Sequence, residues 1–113
     1  MRLLAWNIRQ GGGSRLPRIA DALKRHDADI VVLSEYRGGP DAIEQIGFRD
    51  LWRHRYPDRR EYSWFSTRNN GFRIDHAFLS QELAACAGSV HYSHEERITG
   101  ISDHSPLILE LAA

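Results

Sequence analysis

The sequence predicts an α/β domain, a mixed sheet covered by helices, and three stretches carry that prediction. Strand, helix and strand follow one another within the first 35 residues, as RLLAWN, the segment Leu16 to His26, and ADIVVLS. ADIVVLS (28–34) is apolar without a break, the pattern of a strand covered on both faces. Near the other end PLILEL alternates, with Leu107, Leu109 and Leu111 on one face and Ile108 and Glu110 on the other, which is a half-buried strand.

Each element follows from local chemistry. Residues 2–7 read as a short apolar strand ending on the polar Asn7. GGGS at 11–14 has the composition of an expression linker and equally suits a tight loop, with Ser14 placed to cap the helix that follows. In that helix Leu16, Ile19, Ala20 and Leu23 recur at helical spacing, and Pro17 is tolerated because it falls in the first turn. Glu35 follows directly on the second strand. YRGGPD then reads as a turn and AIEQIGF as a short helix ending at Gly47.

From Phe48 to Arg73 the chain holds seven of its eleven aromatic residues and seven arginines against three acids. NNG at 69–71 marks a turn. RIDHAFLS (73–80) reads as a strand, QELAAC as a helical turn, SVHYSHEE as another strand and 105–111 as the closing strand. Phe48 and Trp52 are expected in the core.

At 113 residues the chain has room for one domain with a modest core, spanning 1–113. Formal charge is zero, so no global field draws it onto nucleic acid and a basic patch must be local. One cysteine, Cys86, excludes an internal disulfide and reads as a small buried hydrophobe. No run reaches membrane-spanning length and MRLLAWN does not read as a leader, so the expectation is a soluble, cytoplasmic protein without a membrane partner. Of fifteen basic residues only Lys24 is lysine. Arginine's planar fork suits phosphate oxygens, although a high-GC genome produces the same bias.

Several polar residues share one placement at strand ends. Asn7 ends the first strand, Glu35 ends the second, Asp75 opens RIDHAFLS, and Asp103 and His104 precede the last. Strand ends of this kind can converge on one rim of a layered sheet. Such a set suits a hard divalent cation, which takes one or two carboxylates plus waters and substrate phosphate. Glu35 and Asp103 are the candidate ligands and Asn7 helps to place the metal or phosphate. His104 is placed to accept a proton from water, with Asp75 holding its imidazole in one tautomer.

LAWNIR, DIVVLSE, GFRIDHAFLS and SDHSPL together resemble four signature blocks of the endonuclease/exonuclease/phosphatase superfamily, in order along nearly the whole chain. The stretch from GFRDLWRHRYPDR to NNGFRIDHAFLS is most similar to the exonuclease III branch, bacterial DNA-repair nucleases. The resemblance implies a shortened relative of the four-layer α/β/β/α sandwich. It implies that Asn7 and Glu35 bind the metal and the scissile phosphate, that Asp103 assists the metal, and that Asp75 pairs with His104. His104 then stabilises or protonates the reacting phosphate. It also implies Mg²⁺ or Mn²⁺ as cofactor and DNA as partner. The expected activity is a 3′–5′ exonuclease, with an abasic-site endonuclease or 3′-phosphatase second, and a nucleic-acid-binding chain without turnover as the alternative from another class.

The chain departs from the pattern in its middle. Members of the superfamily run to about twice this length, beyond what one small core holds. Here the segment after Glu35 passes straight to DAIEQIGF, and the phosphate-contacting tyrosine and the G-D-x-N block are absent. Asp41, Asp50 and Asp58 are the aspartates considered as substitutes, and Asn69-Asn70 could offer an amide but reads first as a turn. In the Arg/aromatic segment Arg53, Arg55 and Arg68 are candidates for phosphate contacts, with His54, Arg59 and Arg60 beside them. Trp64, Phe65 and Phe72 are candidates for stacking beside the substrate. A shortened sheet with uncovered edges also leads to the expectation of a homodimer.

Overall fold

A computed structural model describes residues 1–37 and 41–111 of the chain. The turn expected over YRGGPD, together with the side chain of Asp41, lies outside the described residues. The main sheet has the strand order β1-β2-β6-β3, with β1 Leu3–Gly11, β2 Ile30–Tyr36, β3 Phe48–Asp50 and β6 His76–Ser80. β1 and β2 are parallel, while β6 runs antiparallel to both β2 and β3, so the sheet is mixed. A parallel pair needs a crossover, and α1 (Leu16–His26) supplies it.

α1 turns Ile19 and Leu23 inward, as the spacing predicts, with Pro17 in its first turn. Its last turn carries Lys24, Arg25 and His26, cations that suit the negative end of the helix, and Asp27 closes it in the left-handed conformation. Ser14 is not the cap. It lies within a 3₁₀ turn over Gly13–Arg15, and Arg15 takes the cap position without a side-chain hydrogen bond. Pro17 has no N–H to be capped, which removes one of the groups a serine would serve.

The apolar run on β2 is buried on both faces, for a visible reason. Val31 and Leu33 pack with Ile19 and Leu23 of α1, Ile43 of α2 (Asp41–Glu44), Phe48 and Phe78. Ile30 faces the opposite way, into a second cluster with Leu51 and Trp52 of α3 (Leu51–Arg55), Leu79, Val90 and Tyr92. Val32 and the alternating Leu107, Leu109 and Leu111 pack against that second cluster. The three leucines lie on β8 (Leu107–Leu111), which pairs with β7 (Ala87–Tyr92) as a separate antiparallel hairpin. The layers are therefore helices, a mixed sheet, and the two-stranded β7-β8 pair. Phe48 and Trp52 are core residues, as expected.

Some boundaries differ from expectation. The strand expected over 73–80 begins only at His76, because Arg73, Ile74 and Asp75 are held by other contacts described below. SVHYSHEE divides: β7 ends at Tyr92 and Glu95–Ile98 form α5. Glu95 and Glu96 fall in that helix's first turn, where acids are favoured, and Ser93 Oγ donates to Glu96 at 2.6 Å. Cys86, at the end of α4 (Gln81–Cys86), is exposed rather than buried, because the inward position of that short helix is taken by Ala84. Gly47, at φ +100, stops the segment after α2 in a conformation that favours glycine. A two-stranded pair, β4 (Trp64–Phe65) with β5 (Gly71–Phe72), completes the described strands. No described helix is long and apolar enough to cross a membrane.

Candidate active site

The rim of the sheet is shaped where β1 and β2 lose register. Asn7 pairs with Ser34 and Gly11 with Tyr36, so β1 spends Ile8, Arg9 and Gln10 against Glu35 alone. Arg9, Gln10 and Glu35 all have left-handed backbones, at φ 61, 52 and 62. An L-residue held there costs about 1–3 kcal/mol, and such outliers concentrate where function requires a side chain to be re-aimed. Asn7 Oδ1 accepts the Arg9 N–H at 2.9 Å and fixes the start of the bulge. Glu35 is thereby turned out of the strand's alternation while Tyr36 after it is fully buried.

Asp75 is held by its backbone from three sides. Ser63 Oγ accepts the N–H groups of Ile74 and Asp75 at 3.0 and 3.3 Å. The Tyr36 N–H donates to the Ile74 carbonyl at 2.8 Å, and the Tyr92 hydroxyl donates to the Asp75 carbonyl at 2.5 Å. The Asp75 carboxylate accepts from His104 Nδ1 at 2.6 Å. His104 is placed independently by a backbone bridge to Trp64, by the Ser105 N–H to the Ser63 carbonyl at 2.8 Å, and by its own N–H to Ser102 Oγ at 3.2 Å. With Nδ1 occupied by a carboxylate, Nε2 is the nitrogen left for proton chemistry.

His104 forms a wall shared by two cavities. One, of about 490 Å³, is lined by Gln10, Glu35, Arg37, Trp64, Asp103 and His104 among others. The second, of about 530 Å³, brings Asn7, Ser34 and Asp75 to the other side of the same imidazole. The structure thus brings Glu35, Asp103, His104, Asp75 and Asn7 to one rim. Among the described residues no group of three or more His, Cys, Asp or Glu side chains is close enough to cage a metal. Glu35 and Asp103 lining one open cleft fit a magnesium-class ion, which keeps waters and binds through one or two carboxylates. They do not fit a closed, all-protein metal cage.

Beneath the rim lies a polar network that local sequence spacing does not announce. Asp50 is fully buried and accepts both Arg73 guanidinium nitrogens, at 3.1 and 2.6 Å, and His76 Nδ1 at 3.1 Å. Arg73 also reaches the Tyr92 hydroxyl at 3.3 Å and lies over the Trp52 ring. Burial alone would raise the Asp50 carboxyl; hydrogen bonds from His76 and Arg73 outweigh it and hold the group well below the usual carboxylate range. Burial is also the largest cause acting on Tyr92, whose hydroxyl is pushed well above its ordinary value and stays a donor to Asp75. The network is the floor on which Asp75 stands. Asp50 was a possible substitute for the missing water-orienting acid, but its carboxylate is occupied away from the cleft. One legible signal existed: Asp50 is the cap of α3, accepting the Arg53 N–H at 3.3 Å, just ahead of the apolar Leu51-Trp52.

The Arg/aromatic segment divides by position. Arg53 donates to the carbonyls of Tyr56, Pro57 and Arg59, and Arg55 to those of Gly88 and Ala87, so both act as backbone tethers outside the cleft. Arg68 is exposed in the turn before Asn69, whose φ of 61 suits asparagine. Phe65 packs on Tyr62 and under Arg97, away from both cavities. Trp64 lines the cleft and packs on Phe72, ring centroids 6.0 Å apart. Arg37, unmarked by any motif, also lines it.

No family model matches the chain, and no curated protein sequence matches it. Solved structures do. It is similar to a 3′–5′ exonuclease (NExo) from Neisseria meningitidis, with a TM-score of 0.78 and 18% identity over 98% of this chain and 61% of that one. A structure of the 3′ phosphatase NExo from Neisseria, bound to product DNA hairpin, gives a TM-score of 0.76 with the same identity and coverage. An AP endonuclease from Archaeoglobus fulgidus gives 0.69 at 18% identity, again over 98% of this chain and 61% of that one. The chain therefore spans about three fifths of the length of the structures it matches. It carries, in shortened form, the mixed α/β fold of these exonuclease and AP endonuclease structures, the fold that the resemblance in its sequence implies.

Proposed function

We propose that the chain is a divalent-metal-dependent phosphodiesterase acting on DNA, chiefly as a 3′–5′ exonuclease in cytoplasmic DNA repair. The observation that carries the reading is the 2.6 Å Asp75–His104 pair facing a cleft shared with Glu35 and Asp103. A Mg²⁺- or Mn²⁺-class ion, held by Glu35 and Asp103, would supply charge neutralisation on the phosphate when bound. The chain's own residues then orient and protonate. His104, fixed by Asp75, holds or moves a proton at Nε2, and the Asn7 amide is left to meet a phosphate oxygen because its Oδ1 is engaged by Arg9. The fold shared with a DNA-bound 3′ phosphatase supports DNA as the substrate class.

A second reading, DNA binding without turnover, is favoured by the occupation of Asp50 and by the missing G-D-x-N block. One experiment separates the two. Purified protein is expected to cleave a 3′-labelled DNA hairpin, to stop in EDTA and to recover with added Mg²⁺ or Mn²⁺. Hairpin binding with no cleavage under any metal would favour the second reading.

The homodimer is likewise a proposal. β1 is an edge of the sheet and exposes Leu3 at 59% and Trp6 at 39%, a surface that association would cover. Light scattering at micromolar concentration is expected to give twice the mass of the chain, and a monomer mass throughout would reject it.

A further inference from the structure

α5 is a single turn between β7 and β8, yet it is bonded to the chain on both sides of Asp103 and His104. Ahead of them, the Glu96 carbonyl accepts the N–H groups of Ile101 and Ser102 at 3.0 and 3.3 Å, and Ser102 Oγ in turn accepts the His104 N–H. Behind them, the Ser93 N–H donates to the Pro106 carbonyl at 2.9 Å. The closest grip is on Ser105, the residue after His104. His94 Nδ1 lies 2.8 Å and Arg97 Nε 3.1 Å from Ser105 Oγ. In a strand, side chains three positions apart point to opposite faces, so the helical turn is what brings both onto one oxygen.

The chemistry of these groups gives the chain of bonds one direction. Arginine can only donate, so Ser105 Oγ accepts from Arg97. The Ser105 hydroxyl hydrogen is then free to go to His94 Nδ1, which leaves the proton of a neutral imidazole on Nε2. Nε2 meets Glu61 Oε1 at 2.9 Å, and that oxygen also accepts the Tyr62 N–H at 2.9 Å. Ser105 is 2% exposed, so its hydroxyl depends on these partners, while Glu61 and His94 lie partly exposed at the outer end. Arg97 also lies over the Phe65 ring at 4.5 Å, next to Trp64, whose backbone bridges His104.

We propose that the Glu61–His94–Ser105 chain, braced by Arg97, is a positioning device that keeps the His104 imidazole in register with Asp75. Its catalytic consequence rests on the DNA-processing reading, and it adds to that reading residues that act through His104 rather than on the substrate. Backbone bonds to Ser63 and Trp64 hold the entry to β8 from one segment, and the Ser105 hydroxyl holds it from α5. Two separate elements therefore fix the peptide that carries the imidazole. The 2.6 Å bond from His104 Nδ1 to Asp75 tolerates little displacement, because a hydrogen bond weakens steeply as it bends.

The test reads that bond directly, by proton NMR of the metal-free protein in EDTA. The parent is expected to show a far-downfield, slowly exchanging Nδ1–H resonance, assigned to His104 by its loss in His104→Ala. In Ser105→Ala the resonance should move upfield or broaden by exchange. Single-turnover hydrolysis should fall by up to about 100-fold, the scale of a misplacement of about 1 Å, with the half-saturating DNA concentration unchanged. Glu61→Ala, altered at the partly exposed end, should move both readouts the same way by less. Glu61→Gln, whose amide oxygen still accepts from His94 Nε2, should stay near the parent. Circular dichroism verifies the fold, and if Ser105→Ala does not fold, the contrast between the two Glu61 variants decides. A parent without the resonance, a parent-like resonance in folded Ser105→Ala, or no difference between Glu61→Ala and Glu61→Gln would overturn the positioning role. A responsive resonance in a parent that hydrolyses no DNA with Mg²⁺ or Mn²⁺ would overturn the DNA-processing reading and leave the positioning of His104 standing.

Discussion

Replacing His104 with alanine is expected to slow phosphodiester hydrolysis by about 10²–10⁴-fold, the range for losing one general acid or base, with the circular dichroism spectrum unchanged. The fold should tolerate the change because the contacts that place residue 104 are made by backbone. The Trp64 bridge and the Ser105–Ser63 hydrogen bond survive loss of the ring. Asp75→Asn should fall between parent and His104→Ala, since an amide can still accept from Nδ1 but no longer stabilises a charged imidazole. Glu35→Ala should lose most activity for a separate reason, through weaker metal binding, and raising the metal concentration should recover part of it. These differences are read in single-turnover rates on a labelled hairpin across a metal titration. A folded His104→Ala protein that cleaves at the parent's metal-dependent rate would remove His104 from the chemistry and leave its bond to Asp75 as a structural clamp.

What the sequence made legible was whatever is written in local pattern. β2 is buried on both faces, so it appears as an unbroken apolar run. β8 is buried on one face, so Leu107, Leu109 and Leu111 alternate. The site residues were also visible one by one, each as a polar residue at a strand end. Their convergence followed from that shared placement and was strengthened by the resemblance, because no spacing rule brings residues 35, 75 and 104 together.

The unread part has physical causes of two kinds. Glu35 owes its direction to a bulge in which three residues of β1 oppose one of β2, a two-strand property absent from either strand's sequence. Arg53, Arg55 and Arg37 are the same residue type, yet two tie down carbonyls and the third lies over aromatic rings. Only the tertiary partner decides which arginine remains available to a ligand. The division of SVHYSHEE was legible in principle, since paired acids at a helix start are a local signal, but the alternation of β7 masked it.

Asp50→Ala is expected to be the most destabilising single substitution in the chain. Arg73 and Asp50 are 23 residues apart in sequence, and they pair where Asp50 is fully buried and the Arg73 side chain nearly so. Removing the carboxylate strands a buried guanidinium and leaves His76 Nδ1 without its acceptor, and His76 Nε2 already has no partner. Breaking one side of a buried ion pair costs about 3–5 kcal/mol, against a total of about 5–15 kcal/mol for a domain. The melting temperature should fall by roughly 12–20 °C at pH 7.

Acid separates the charge from the packing. An unfolded aspartate protonates near ~4, whereas folded Asp50 keeps its charge well below that. Below about pH 4 the unfolded chain therefore takes up the proton first, and the stability contributed by Asp50 is lost as the pH falls toward the folded value. Asp50→Asn keeps the shape and part of the hydrogen bonding but has no such proton to take up. It should start from a lower melting temperature at pH 7 and lose less than the parent between pH 5 and pH 3. Parallel acid limbs in the two proteins would show that other carboxylates govern acid unfolding. The network would then act by hydrogen bonding and packing alone, and Asp75 would still lose its floor when Asp50 is truncated to alanine.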